Sequence, residues 1–301
     1  MDAPGRSGPQ NDGMPLFPVH ETRLYADLRG PEDGFPLLVL HGGPGLDHTI
    51  FGTWLDPLAD TFRLVLVDAR EQGRSDRGTD PATWTLSQHA SDVSALAAAL
   101  GYEEYAVLGH SYGAFIALQH AADAPGAAAA TIVSSGVPSM AYLDEVDKGL
   151  AVFEPEELRE QVAASWAREA TVQTEDEARQ LMLDQLPWHF ADPRDPRIAE
   201  ITLADMVFST AVLRAASLEG GGLDIDVEDR LPHVTQPVLV LTGRQDRTCV
   251  PAASERIAEL VPGADLHVFE GSGHLAFIEE PKAYVSVVRA FLTRAVGAPA
   301  S

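Results

Sequence analysis

Two rhythms of apolar and polar positions alternate along this chain. Short runs that are almost wholly apolar, Pro36-Leu-Leu-Val-Leu40 and Arg63-Leu-Val-Leu-Val67, each stop at a turn. Strands buried on both faces by covering helices have this pattern. Arg23–Leu28, Tyr105–Leu108, Ala129–Val133, Pro237–Leu241 and Asp265–Phe269 complete the predicted strands. Between several of them the spacing is helical. Leu86–Leu100 places Val93, Leu96 and Leu100 on one stripe and stops at Gly101. An alanine-rich helix is predicted over Gly113–Ala124, and Lys282–Val296 predicts a last one. Alternating strands and helices imply an α/β architecture, a mostly parallel twisted sheet with helices on both faces.

The strand rhythm lapses between about Val137 and Ala216. That stretch is rich in Glu, Ala and Leu and predicts several helices, broken by Pro155, Pro187, Pro193 and Pro196. Strands return after it, so it reads as a helical cap inserted into the sheet domain. The resulting division is a flexible arm over 1–20, a core over 21–136, a cap over 137–216, and the rest of the core over 217–301. Glu219-Gly-Gly-Gly222 is predicted to be a flexible join.

Composition narrows the function classes. The 301 residues carry 21 basic and 45 acidic side chains, a net charge of −24. Such a chain repels phosphate backbones and anionic lipid surfaces, which excludes nucleic-acid and membrane-surface partners. The single cysteine, Cys249, makes no internal disulfide and completes no zinc motif. No run approaches the about 18 apolar residues of a membrane span. The first residues lack the apolar core of a secretory signal. A cytoplasmic protein is expected.

Four motifs follow predicted strands, where sites form in open parallel sheets. Gly109-His110-Ser111-Tyr112-Gly113 lies between a strand and a helix. A nucleophilic serine on so sharp a turn needs tiny neighbours, and the helix N-terminus offers unpaired N–H groups to a developing oxyanion. His41-Gly42-Gly43-Pro44-Gly45 follows the Pro36–Leu40 strand. Its backbone is expected to complete the oxyanion hole, with the N–H of Gly43 paired to that of Tyr112. Gly243-Arg244-Gln245-Asp246 and Gly271-Ser272-Gly273-His274 end the last two strands. The order Ser111, Asp246, His274 suits a triad in which His274 moves the serine proton and Asp246 orients the imidazole. No metal or organic cofactor is required.

Other features have plainer readings. His41 is expected to be a structural hydrogen-bonding residue. His20, His48, His89, His120, His189, His233 and His267 show no metal-ligand spacing. Cys249 is expected to be a small buried apolar residue. Gly42, His110, Trp166 and Trp188 are candidate pocket residues, the two tryptophans from the cap. The cap holds 16 acidic and 7 basic residues, an excess that attracts cations and also simply solvates helices.

Together these residues resemble the α/β-hydrolase superfamily, and within it the proline iminopeptidase group. The carriers are the HGGPG of 41–45, the D-x-R-x-x-G-R-S of Asp68–Ser75, the G-x-S-Y-G of 109–113, and the Asp246 and His274 loops. The resemblance implies an α/β-hydrolase fold and a serine hydrolase that releases N-terminal residues from peptides or amides. It also implies an acid, mostly from the cap, that anchors the substrate amine. The chain departs from the group at Ala114, at Glu71 and Gln72, and in a cap without the expected Trp- and Glu-containing signature. Thr210–Ala216 carries no acid. The alternatives are an esterase, lactonase or thioesterase with the same triad, or a non-catalytic ligand-binding protein on the same fold. The expected partner is a small molecule or short peptide; the oligomeric state is left open.

Overall fold

The computed structural model describes residues 15–218 and 225–297. Eight strands form one sheet: β1 (Leu16–Val19), β2 (Thr22–Arg29), β3 (Phe35–Leu40), β4 (Phe62–Val67), β5 (Ala106–His110), β6 (Ala130–Ser134), β7 (Val238–Gly243) and β8 (Asp265–Phe269). Their order is β1-β2-β4-β3-β5-β6-β7-β8. The β1/β2 and β2/β4 pairs are antiparallel and every later pair is parallel.

Strand period two divides the core between the faces. Leu38, Leu40, Val65, Val67 and Val107 point into one cluster, and Leu37, Val39, Leu64, Leu66 and Leu108 into the other. Helices α1 (Leu86–Ala99), α2 (Tyr112–Asp123) and α7 (Pro251–Leu260) supply the first cluster. Helices α8 (Ala276–Glu279) and α9 (Pro281–Val296) supply the second. All five residues of β5 and eleven of the twelve in α2 are buried. The unit that carries the G-x-S-x-G motif is therefore enclosed almost completely at the centre of the sheet.

Between β6 and β7 the described chain holds helices α3 (Glu145–Ala151), α4 (Glu156–Glu169), α5 (Glu175–His189) and α6 (Thr210–Ala216). Helix α5 starts at a capping box: the Thr174 side chain accepts the Glu177 N–H while the Glu177 carboxylate accepts the Thr174 N–H. Such a cap contributes about 1 kcal/mol. Two small apolar clusters lie in this region, one joining Leu181, Met206 and Phe208 to Leu46 of the loop after β3, the other around Phe153, Val162 and Trp188.

Three local expectations change. Leu16–Val19, assigned to the flexible arm, is a strand whose register runs from Leu16 opposite Tyr25 to Val19 opposite Thr22. Its alternation is too short, and too close to Pro15 and Pro18, to stand out in sequence. Helix α7 lies in a stretch for which no element was predicted. Strand β5 runs on to His110, so the first half of the serine motif is sheet and the second half helix. The expected 219–222 join, and residues 1–14 of the arm, lie outside the described residues. Among the described residues no helix is long and apolar enough to cross a membrane.

Candidate active site

Ser111 stands between β5 and α2 with φ +54° and ψ −118°. That conformation costs a non-glycine residue about 1–3 kcal/mol. The surroundings impose it. The Ser111 N–H donates to Ser134 O at 2.9 Å, and its carbonyl accepts the N–H groups of Ala114 and Phe115 at 2.8 and 3.1 Å. The two motif glycines permit the turn by close approach. A Cβ on Gly109 would collide with the Gly113 carbonyl, and one on Gly113 with the Leu40 carbonyl. Tyr112 opens α2, so its N–H has no carbonyl one turn back to bind.

Asp246 and His274 lie on the loops after β7 and β8. The Nδ1–H of His274 donates to the Asp246 carboxylate, 2.9 Å from Oδ2 and 3.0 Å from Oδ1. Asp246 Oδ1 also accepts the N–H groups of Thr248 and Cys249, both at 2.9 Å. Burial raises the Asp246 pKa, but His274, the Cys249 N–H and the Ser135 hydroxyl outweigh it and hold the carboxyl below its usual range. Asp246 is thus an ionised acceptor that commits the imidazole proton to Nδ1, leaving Nε2 as the basic nitrogen.

Ser111 and His274 line one cavity of about 260 Å³, together with Gly42, Gly43 and His110. Gly42 packs against the serine: a Cβ there would lie 3.1 Å from Ser111 Cβ and 3.0 Å from His110 Cδ2. His110 is buried, its ring centroid 4.9 Å from that of His274. Burial holds the His110 pKa well below the usual imidazole value, so it is neutral. The walls are otherwise mainly aliphatic, from Leu46, Ile50, Met182, Leu186, Leu203 and Leu213.

One acid breaks that apolar lining. Glu169, the last residue of α4, reaches the cavity wall. Gln185 Nε2 donates to its Oε1 at 2.6 Å and Ser217 Oγ to its Oε2 at 3.2 Å. Burial raises its pKa, which makes it an acid that gains from a cation brought beside it. Sequence reasoning did not single out Glu169. It is one of 16 acids in the cap, and nothing in its neighbours distinguishes it.

Trp166 and Trp188 do not line the cavity, a correction to the sequence expectation. Their rings meet edge to face at 5.3 Å, with Phe153 against Trp188 on another side. Trp188 is fully buried, and its Nε1–H donates to Thr248 Oγ1 at 3.0 Å. Apolar surface and one satisfied N–H place it in the cap's own core. The Tyr112 ring packs against His89 and Phe115.

The Asp68–Ser75 motif braces the 41–45 loop. His41 Nε2 accepts the Ala69 N–H at 3.2 Å, and Gln72 Oε1 accepts the Gly45 N–H at 2.6 Å. Asp68 accepts the N–H groups of His48 and Arg74. Asp47, His48 and Asp68 come close enough to share a metal ion. Their oxygens already have protein donors, however: Asp47 takes Thr49, Arg74 and Val207, and Asp68 takes His48 and Arg74. The trio fits a hydrogen-bonded brace better than a coordination sphere.

A family model described as the alpha/beta hydrolase fold matches residues 36–281. The chain belongs to the α/β hydrolase fold family. Among curated proteins it is 28% identical over 270 residues to a proline iminopeptidase of Heyndrickxia coagulans, covering 86% of this chain and 91% of that protein. Among solved structures it is similar to proline iminopeptidase from Mycobacterium smegmatis, with a TM-score of 0.71, 25% identity, and 94% and 98% of the two chains covered. It has the same fold as a thermophilic esterase from Thermogutta terrifontis, with a TM-score of 0.72, 22% identity, and 94% and 99% covered. In α/β hydrolase terms, Ser111 occupies the turn after the central strand β5, and Asp246 and His274 follow β7 and β8, the second and third strands beyond it.

Proposed function

We propose that this α/β hydrolase is a serine aminopeptidase or amidase of proline iminopeptidase type. Ser111 Oγ attacks the carbonyl carbon of a substrate's first residue while His274 Nε2 takes the hydroxyl proton. The N–H groups of Gly43 and Tyr112 receive the developing oxyanion. His274 then gives its proton to the leaving nitrogen as the C–N bond breaks, and Asp246 stabilises the imidazolium between the two transfers. Water, deprotonated by His274, releases the acid and restores Ser111. The chain's own side chains and backbone suffice for every step.

The observation that favours an amine-bearing substrate is Glu169. A carboxylate held by Gln185 and Ser217 in a mainly aliphatic cavity gains its missing countercharge from a substrate ammonium. The same aliphatic walls favour a second reading, an esterase, lactonase or thioesterase that takes neutral acyl groups. The cavity volume suits a small molecule or the first residues of a short peptide. We place the enzyme in the cytoplasm, where its single cysteine stays reduced.

The test compares prolyl and other aminoacyl naphthylamides with nitrophenyl esters. Cleavage of the amides supports the peptidase; cleavage of esters alone transfers the function to the second reading. Ser111→Ala should abolish both activities with the fold intact. Retained hydrolysis would remove Ser111 as the nucleophile, and an inert wild type unreactive toward a fluorophosphonate probe would point to a binding protein.

A further inference from the structure

His189 ends helix α5 and lines the same cavity as Ser111 and His274. Its ring centroid is 5.1 Å from that of His274, with the planes tilted by 34°. The two are also tied through the backbone, since the His274 N–H donates to His189 O at 2.7 Å. Nothing in the proposed triad chemistry uses the His189 side chain.

A hydrogen-bond chain runs behind its ring. The indole Nε1–H of Trp188 has only a proton to give, and it gives it to Thr248 Oγ1. Thr248 Oγ1 also pairs with His189 Nδ1 at 3.2 Å, and its hydroxyl still has a proton to donate there. With the Thr248 hydroxyl donating, His189 Nδ1 is the acceptor and the ring proton sits on Nε2, the nitrogen left for a ligand. Burial holds the ring's pKa at about 3, and the neighbouring His274 pushes the same way. His189 is therefore neutral at working pH and does not compete with His274 for the serine proton. In that tautomer it offers an N–H, whereas the imidazole of His274 beside it serves as the base.

We propose that His189 Nε2–H is a specificity-determining contact that binds a hydrogen-bond acceptor on the leaving-group side of the scissile bond. In a peptide this acceptor is the carbonyl or carboxylate of the residue that departs. His274 Nε2 must reach the leaving atom to protonate it. A donor whose ring lies against the His274 ring is therefore placed beside the leaving group rather than beside the amine held at Glu169. Helix geometry agrees: Gln185, which holds Glu169, and His189 are four residues apart on one face of α5, about 6 Å along its axis. That separation matches the short span from a substrate's amine to the group beyond its scissile bond. A site built around an enclosed donor discriminates against ligands that leave it unpaired.

The proposal rests on the acyl-transfer reading, not on the choice between amide and ester. The test therefore uses two substrate pairs with matched acyl groups. Leucyl-naphthylamide and leucyl-glycine form the amide pair; ethyl butyrate and the butyryl ester of glycolate form the ester pair. Which pair wild type cleaves tests the peptidase reading. The ratio within a cleaved pair tests His189. In His189→Phe we expect kcat/KM for the acceptor-bearing substrate to fall at least ~10-fold, mostly through KM, as when one hydrogen bond to a polar group is lost. The acceptor-free substrate should change less than about 3-fold. His189→Gln should recover part of the loss, and Thr248→Val, which removes the hydroxyl paired with Nδ1, should reproduce part of it. An equal loss on both members, with the acidic limb of the pH profile displaced, would mean that His189 acts only through His274 and would overturn the assignment. No loss on either would overturn it as well. If His189→Phe does not fold, His189→Gln and Thr248→Val decide between these outcomes by the same ratios.

Discussion

The amide of Gln185 holds the carboxylate of Glu169 at 2.6 Å, within the wall of the cavity that carries Ser111 and His274. Two cap helices thus meet at a polar contact in an aliphatic surface. An acid fixed by two neutral donors, with no cation of the protein among them, is poised for a positively charged ligand.

Replacing that acid should separate amines from neutral acyl groups. In Glu169→Gln, kcat/KM for aminoacyl naphthylamides is expected to fall about 10- to 100-fold, as when about 1.4–3 kcal/mol of charge-assisted contact is lost. Nitrophenyl butyrate should be cleaved within about 3-fold of wild type. Steady-state kinetics on both substrates decide it, and parallel losses would argue against an ammonium site.

Arg70 supplies a test of the bracing around the motif loop. It is fully buried and bonds Asp92 through Nε at 2.9 Å and Nη2 at 2.7 Å, with Glu21 as a further acceptor. Removing one partner strands the other charge, so Arg70→Met is expected to cost about 3–5 kcal/mol in denaturant unfolding. The double change Arg70→Met with Asp92→Leu should regain most of that loss. If the double variant were as unstable as the single one, the penalty would lie in packing rather than in the orphaned carboxylate.

Stability should depend on pH through histidines that the fold encloses. His89 and His120 are held at about 4, and His189 at about 3, by burial, against 6.5 for an exposed imidazole. Below pH 6.5 the unfolded chain binds protons that the folded chain refuses until about pH 4. The folded state therefore loses stability as pH falls through that window, by about 1.4 kcal/mol per pH unit for each such group. Tm should be level above about pH 7 and drop steeply from about pH 6.5 to 4. His120→Gln should flatten the slope by one group's share. Equal Tm values at about pH 7 and pH 5 would contradict this account.

Much of the fold was legible because the strands are local signals. The apolar runs at 36–40, 63–67 and 237–241 have to be covered on both sides, and they are. The serine turn was legible for a similar reason. Two tiny residues flanking Ser111 betray a backbone approach that Gly109 and Gly113 alone allow. Leu16–Val19 was not legible, because a four-residue edge strand exists only by pairing with β2. Trp166 and Trp188 misled, because a tryptophan in a cap is equally at home in the cap's own core and in a ligand wall.

By itself the sequence determined seven of the eight strands, the covering helices α1, α2 and α9, and which serine, aspartate and histidine follow those strands. These depend on residue type and spacing within a few positions. Only the tertiary structure decided which of the cap's many acids faces the cavity. It alone set the His189 ring beside His274, with Thr248 and Trp188 behind it. The reason is physical. A strand or a tight turn is specified by its own residues, whereas the use of a single polar side chain depends on which distant groups pack around it and remove its water.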